Sequence, residues 1–304
     1  MKTIVVTGGR GFIGSHFVRE ALERGYKVID IDKVTYAGFE DLNWDDHPEY
    51  THIREDICDI EHLPKCSFII NFAAETHVDN SIRDTAPFVR SNILGVHNLL
   101  ELVRGKPEYD RPLFIQVSTD EVYGDKKYGS FLEKDRLTPS NPYAASKAAA
   151  EHLVTSYGRT YGIDYLITRS GNNYGSRQYG EKLIPKILDS LIAGEKIPLH
   201  GDGTYVRDWT YVLDNIGGMF HIIDHYYANN GRPMHRVFNI ASGCQRTNNQ
   251  VAEQVCSWLD EDWKDHVVYV PNRWGQDLRY SIDISRLTSI GWEPKHQKEL
   301  HKWF

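Results

Sequence analysis

The sequence predicts an α/β fold: a doubly wound parallel sheet with a smaller C-terminal α/β lobe. Two patterns predict it. Through the first half, short apolar runs rich in β-branched residues alternate with amphipathic helical stretches, as in a parallel sheet covered on both faces. From about residue 170 the alternation loosens, and turn signals appear at G-D-G 201–203 and N-N-G 229–231.

The predicted strands are Thr3 to Thr7, Lys27 to Ile31, Phe68 to Phe72, Leu113 to Val117 and Tyr165 to Thr168. Helical patterns run from Phe12 to Arg24, Pro87 to Val103 and Pro142 to Tyr161, then over 181–194, 211–228 and 247–260. The expected division is residues 1–170 for the sheet domain and 171–304 for the second lobe. No linker separates them, so the chain is expected to cross between the two.

The first strand enters G-G-R-G-F-I-G, with glycines at 8, 11 and 14 directly before a helix. Glycine lets backbone turn tightly against a pyrophosphate, and the helix start supplies unpaired N–H groups. Strand before, helix after and a second strand beyond are the context this motif needs, so the sheet is expected to be Rossmann-type. The residues expected around the phosphates are Gly8, Gly11, Phe12, Ile13 and Gly14. The second strand ends in Asp32, roughly the ~20 residues on at which an acid meets ribose hydroxyls. A carboxylate there repels a 2′-phosphate and favours NAD over NADP, although Lys33 beside it is a cation that accepts phosphate. Thr35 lies just beyond. Asp56 and Ile57 are expected at the adenine, and the small residues Ala73 and Ala74 near the pyrophosphate.

N-P-Y-A-A-S-K starts a helix, with Pro142 suited to its first turn and Ser140 or Asn141 available as cap. Tyr143 and Lys147 are spaced i, i+4 and share a face. A cationic lysine and an oxidised nicotinamide both favour a phenolate, making Tyr143 a base for an alcohol proton. L-F-I-Q-V-S-T-D-E-V-Y-G, at 113–124, delivers Asp120 and Glu121 where an apolar strand stops. Two adjacent carboxylates serve as acid and base when their surroundings push their pKa values apart.

The 304-residue chain carries a net charge of -7 and has no lysine or arginine run, which argues against nucleic-acid and anionic-membrane surfaces. Cys58, Cys66, Cys244 and Cys256 lack metal-ligand spacing, so no metal is expected and the thiols are expected to stay reduced. No apolar stretch approaches ~20 residues, and M-K-T-I-V-V-T-G-G reads as a strand and not a leader, so the expectation is a cytoplasmic protein.

Taken together, the glycine loop, S-T-D-E-V-Y-G and Tyr-x-x-x-Lys resemble the extended short-chain dehydrogenase/reductases. More narrowly, the chain resembles the nucleotide-sugar 4,6-dehydratases. The resemblance spans the chain: D-K-V-T-Y-A-G at 32–38, A-A-E-T-H-V-D-N-S-I at 73–82, N-N-Y-G at 172–175, E-K-L-I-P at 181–185, V-R-D-W at 206–209 and R-W-G-Q-D-L-R-Y at 273–280. It implies that bound NAD oxidises the sugar at C4 and later returns hydride to C6. Tyr143 with Lys147 would act at C4, Glu121 as base at C5, Asp120 as acid on the C6 hydroxyl, and Thr119 on the C4 oxygen. It places Asn172, Glu181, Lys182, Leu183, Arg207, Asn239 and Arg273 at the nucleoside diphosphate; Ser81 and Asn92 would contact the sugar or support the site. It also implies a homodimer through a four-helix bundle of the stretches Pro87–Val103 and Pro142–Tyr161.

Departures fall near the sugar: Ser170-Gly171 replaces the family's Cys-Ser, Gly-Ser-Arg-Gln-Tyr-Gly occupies 175–180, and Gln276 stands for a histidine. Gly171 is expected to make room for a C2 acetamido group. dTDP- or UDP-glucose, UDP-N-acetylglucosamine (with or without C5 epimerisation), 4-epimerisation and a non-catalytic NAD-sensing module all remain open at this point.

Overall fold

The computed structural model describes residues 2–272, 274–297 and 299–303. Its central sheet uses β1 (Thr3–Thr7), β2 (Lys27–Ile31), β3 (Tyr50–Ile53), β4 (Phe68–Asn71), β5 (Leu113–Thr119), β6 (Tyr165–Ser170) and one later strand. The helices of this half are α1 (Phe12–Glu23), α2 (Val78–Arg83), α3 (Ala86–Val89), α4 (Gly95–Arg104) and α5 (Pro142–Tyr161). A π-helical turn at Arg90–Leu94 joins α3 to α4, so the predicted helix from Pro87 is continuous but locally underwound.

The second half contributes β7 (Asn172–Tyr174), α6 (Leu183–Ala193), β8 (Ile197–His200), β9 (Val206–Tyr211), α7 (Val212–Ala228), β10 (Val237–Ile240), β11 (Gln245–Thr247), α8 (Asn248–Ser257) and β12 (Val267–Val270). The seven-stranded sheet has the order β10-β6-β5-β4-β1-β2-β3, with every neighbour parallel. Two small sheets, β11-β9-β7 and β12-β8, make the other lobe. Strands β4 and β5 are buried along their whole length, as double-sided coverage requires.

The second half thus feeds back into the first. β10 pairs with β6 (Val237 opposite Ile167), and α7 covers α1, where the Phe17 and Phe220 rings stack at 4.5 Å between centroids. In an open parallel sheet the binding crevice lies beyond the carboxyl ends of the strands where their order reverses, here between β1 and β4. All four cysteines are free thiols. Among the described residues no helix is long and apolar enough to cross a membrane.

Candidate active site

A cavity of about 1010 Å³ opens at the carboxyl ends of the strands, running from the glycine turn to β8 and β9 of the smaller lobe. The turn's shape depends on two glycines. A Cβ on Gly8, whose φ is +72°, would lie 2.5 Å from the Ala73 nitrogen, and one on Gly14 would lie 2.1 Å from the Gly8 carbonyl oxygen. Gly11 is the N-cap of α1 and offers no side-chain cap, so the first N–H groups of the helix stay available at the cavity. Asp32 accepts the Val34 N–H at 2.8 Å and the Arg10 N–H at 2.9 Å, which fixes its carboxylate at the cavity wall. Lys33 is neutralised by Asp56 at 3.3 Å. A crowded glycine turn, a free helix start and a fixed carboxylate fit a dinucleotide with an unphosphorylated ribose.

Gly8, Gly11, Phe12, Ile13, Gly14, Asp32, Lys33, Thr35, Asp56, Ile57, Ala73 and Ala74 all line this cavity, as do Thr119, Asp120, Glu121, Tyr143 and Lys147. Asn172, Glu181, Lys182, Leu183 and Arg207 line its other end. Arg207 lies over the Tyr280 ring and donates to the Asp277 carbonyl at 2.9 Å, so its guanidinium is held in one orientation.

Helix α5 starts at the cavity because Asn141 caps it, its Oδ1 accepting the Ala144 N–H at 2.9 Å with Pro142 in the first turn. The same Asn141 donates through Nδ2 to Glu121 at 3.3 Å. One residue therefore sets both the helix that carries Tyr143 and Lys147 and the carboxylate of Glu121.

The acid pair divides by environment. Asp120 is 2% exposed and its Oδ2 has no hydrogen-bond partner among the described residues. Burial, reinforced by the charge of Glu121, pushes its carboxyl well above the usual range and so favours its protonated form. Glu121 is only half-buried and faces the cavity. Lys147 donates to the Val117 carbonyl at 2.7 Å, and burial lowers it to about 8.

Tyr143 corrects an expectation. Its phenol is pushed up, not down: burial dominates, the Glu121 carboxylate adds to it, and the hydrogen bond with Thr119 opposes. One of the three Lys147 ammonium N–H groups goes to the Val117 carbonyl, and the positive charge of an oxidised nicotinamide would further favour the phenolate.

Ser81 and Asn92 take the supporting one of the two roles expected for them, whereas Asn239 departs from expectation. Ser81 does not line the cavity; its hydroxyl donates to Val78 and accepts the Tyr143 N–H at 3.3 Å, supporting the start of α5. Asn92 likewise supports, bonding both backbone groups of Glu75 and the Ser146 hydroxyl at 2.8–2.9 Å. Asn239 is fully buried on β10, where Tyr123, Phe131 and Asp283 use up its amide, so it has no free group for a diphosphate. Arg273 lies outside the described residues.

Gly171 makes no room: a Cβ there would sit 2.9 Å from the Asp208 carbonyl oxygen, so glycine serves the approach of β9 and not an acetamido group. Pro198, Leu199, His200 and Asn248, which line the second end, carried no motif that singled them out in the sequence, whereas Trp209 beside them closes the V-R-D-W segment. Only the strand–turn pattern around G-D-G pointed their way.

The sheet order, the glycine turn and the Tyr143/Lys147 pair define an extended short-chain dehydrogenase/reductase. The chain belongs to the GDP-mannose 4,6 dehydratase family, whose model matches residues 5–301. It is 40% identical over 299 residues to the low-salt glycan biosynthesis protein Agl12 of Haloferax volcanii, covering 96% of this chain and 93% of that one. Identity to a dTDP-glucose 4,6-dehydratase of Xanthomonas campestris is 39% over 327 residues, with 98% and 90% covered. Its fold is similar to that of DesIV, a dTDP-glucose 4,6-dehydratase from Streptomyces venezuelae solved with NAD and TYD bound, at a TM-score of 0.90 and 37% identity over 97% of this chain and 92% of that one.

Proposed function

We propose that this chain is an NAD-dependent hydro-lyase that converts a dTDP- or UDP-glucose-type nucleotide sugar to the 4-keto-6-deoxy sugar. The observation that carries this reading is the split acid pair, a buried Asp120 whose carboxyl is pushed up beside a cavity-facing, half-buried Glu121, in the same cavity as Tyr143 and Lys147. A 4-epimerase has no step that needs both acids. The kinship with dTDP-glucose 4,6-dehydratases supports the same assignment.

NAD, when bound, supplies a hydride acceptor at C4 and a hydride donor at C6, so it is regenerated within one turnover. The chain's own residues move the protons. Tyr143, hydrogen-bonded by Thr119, takes the C4 hydroxyl proton. The resulting ketone acidifies C5–H, and Glu121 removes that proton. Asp120 protonates the C6 hydroxyl, which departs as water, and Glu121 returns its proton to C5 as C6 is reduced. A proton passing from Tyr143 to Asp120 through solvent restores the starting state.

Val89 and Leu94, 45% and 53% exposed beside α4, support a homodimer through α4 and α5, which light scattering would test. Four free thiols support a cytoplasmic setting. Incubation with dTDP-glucose, UDP-glucose, UDP-N-acetylglucosamine and GDP-mannose, with products weighed, tests the function. Loss of one water from a glucose nucleotide is expected. A product of unchanged mass would mean epimerisation, and no product at all would favour an NAD-binding module.

A further inference from the structure

Residues 32–49, between β2 and β3, contain no helix or strand. Thr35, Ala37 and Gly38 in this strap form a wall of the cavity next to Asp32. A connection this long without regular structure needs something to hold it in place.

Arg10, the third residue of the glycine turn, does so. Its side chain is 2% exposed. Nε donates to the Phe39 carbonyl at 2.6 Å, Nη1 to Asp45 at 2.8 Å and to the Tyr50 hydroxyl at 3.2 Å, and Nη2 to Asp45 at 2.8 Å and to the Glu40 carbonyl. All five guanidinium N–H groups are therefore used, and the charge is paired bidentately. The backbone joins in: the Arg10 carbonyl accepts the Phe39 N–H at 2.9 Å, and the Arg10 N–H reaches Asp32. From Tyr50 the chain of bonds returns to the turn, because the Tyr50 hydroxyl donates to Asp30 at 2.8 Å and Asp30 accepts the Gly9 N–H at 2.9 Å. The guanidinium is turned away from the cavity and saturated, so it contributes no cation for a 2′-phosphate.

We infer that Arg10 is a positioning residue that ties the strap to the phosphate turn and thereby sets how long a bound dinucleotide stays. The inference rests on the cofactor reading above for the identity of the ligand. A buried guanidinium whose partners are two carbonyls, a carboxylate and a phenol cannot be removed without leaving those acceptors unpaired. The wall made by Thr35, Ala37 and Gly38 then loses its fixed distance from α1. Residence matters here because a cofactor that escapes between oxidation at C4 and reduction at C6 aborts the cycle.

The experiment compares wild type, Arg10→Ala, Arg10→Lys and Asp45→Ala, without substrate. NAD retained after gel filtration, its dissociation rate, and amide exchange over residues 34–45 are measured. Arg10→Ala and Asp45→Ala are expected to release NAD at least about tenfold faster, equivalent to about 1.4 kcal/mol, with protection lost over 38–45. Arg10→Lys is not expected to rescue, since three donors on one ammonium cannot span the acceptors. Folded variants that retain NAD and protect the strap as wild type does overturn the inference. If Arg10→Ala does not fold, Asp45→Ala, at a third-exposed surface position, decides it. A wild type that binds no dinucleotide sinks the cofactor reading instead, and is recognised before any variant is compared.

Discussion

Asp120 and Glu121 are adjacent on the chain, yet the first carboxyl is enclosed at the end of β5 while the second turns into the cavity and takes the Asn141 amide at 3.3 Å. A short 3₁₀ turn at Asp120–Tyr123 creates the difference by rotating successive side chains apart. Enclosure favours the neutral form of the first acid, while the second carboxylate stays in reach of a ligand in the cavity.

Single substitutions separate the two roles. Glu121→Gln is expected to stop solvent deuterium from entering C5 while still allowing nicotinamide reduction. Asp120→Asn is expected to keep C5 exchange and lose water. Each loss of overall turnover should fall in the range of about a hundred- to ten-thousand-fold typical of a general acid or base. Rapid-quench mass analysis with absorbance of the reduced nicotinamide reads both; C5 exchange intact in Glu121→Gln removes that residue as the base.

Tyr143→Phe removes the group that accepts the C4 proton. No reduced nicotinamide is expected to accumulate, and turnover should fall by about the same factor. Stopped-flow absorbance would reveal the contrary result, a normal burst, which assigns the C4 proton to another group.

Lys147 is held near 8 by burial, against an ordinary lysine value near 10.5. Its ammonium is thus present below about pH 8 and lost above it, so kcat/KM for the nucleotide sugar is expected to decline as pH rises through about 8. Lys147→Met should give a low rate with no such limb. A limb unchanged in that variant belongs to a different group.

Asp30 sits under the glycine turn, where burial, with the charge of Asp32, raises its carboxyl to about 7 from 3.8. Between about pH 4 and 7 the unfolded chain ionises this group while the folded protein keeps it protonated. The group therefore subtracts stability progressively across that window, by about 1.4 kcal/mol per pH unit, and no further above it. Urea unfolding of Asp30→Asn at a series of pH values should show its stability relative to wild type growing over this window. A constant difference would mean that Asp30 is ionised throughout.

Gly171→Ala places a methyl against the Asp208 carbonyl. A destabilisation of about 1–3 kcal/mol is expected, without a change in preference between glucose and N-acetylglucosamine nucleotides. A selective change in that preference would restore the position as a specificity determinant.

The strands, the glycine turn and the Tyr143/Lys147 helix were legible because each rests on local signals: β-branched runs, glycine spacing and an Asn-Pro cap. What stayed hidden depends on distant partners. Tyr50–Ile53 is too short and polar to read as a strand until β2 pairs with it. Asn239 looked like a ligand in one dimension and is a buried hydrogen-bond hub in three. The upward shift of Tyr143 arises from enclosure and from Glu121, neither of which i, i+4 spacing reveals.

The seventh strand of the central sheet comes from Val237–Ile240, long after its neighbour β6 ends at Ser170. During synthesis the emerging sheet presents β6 with a bare row of amides and carbonyls until that distant segment leaves the ribosome. A protein cut after residue 170 would keep this open border permanently, and strand-to-strand association between molecules is the outcome its edge invites.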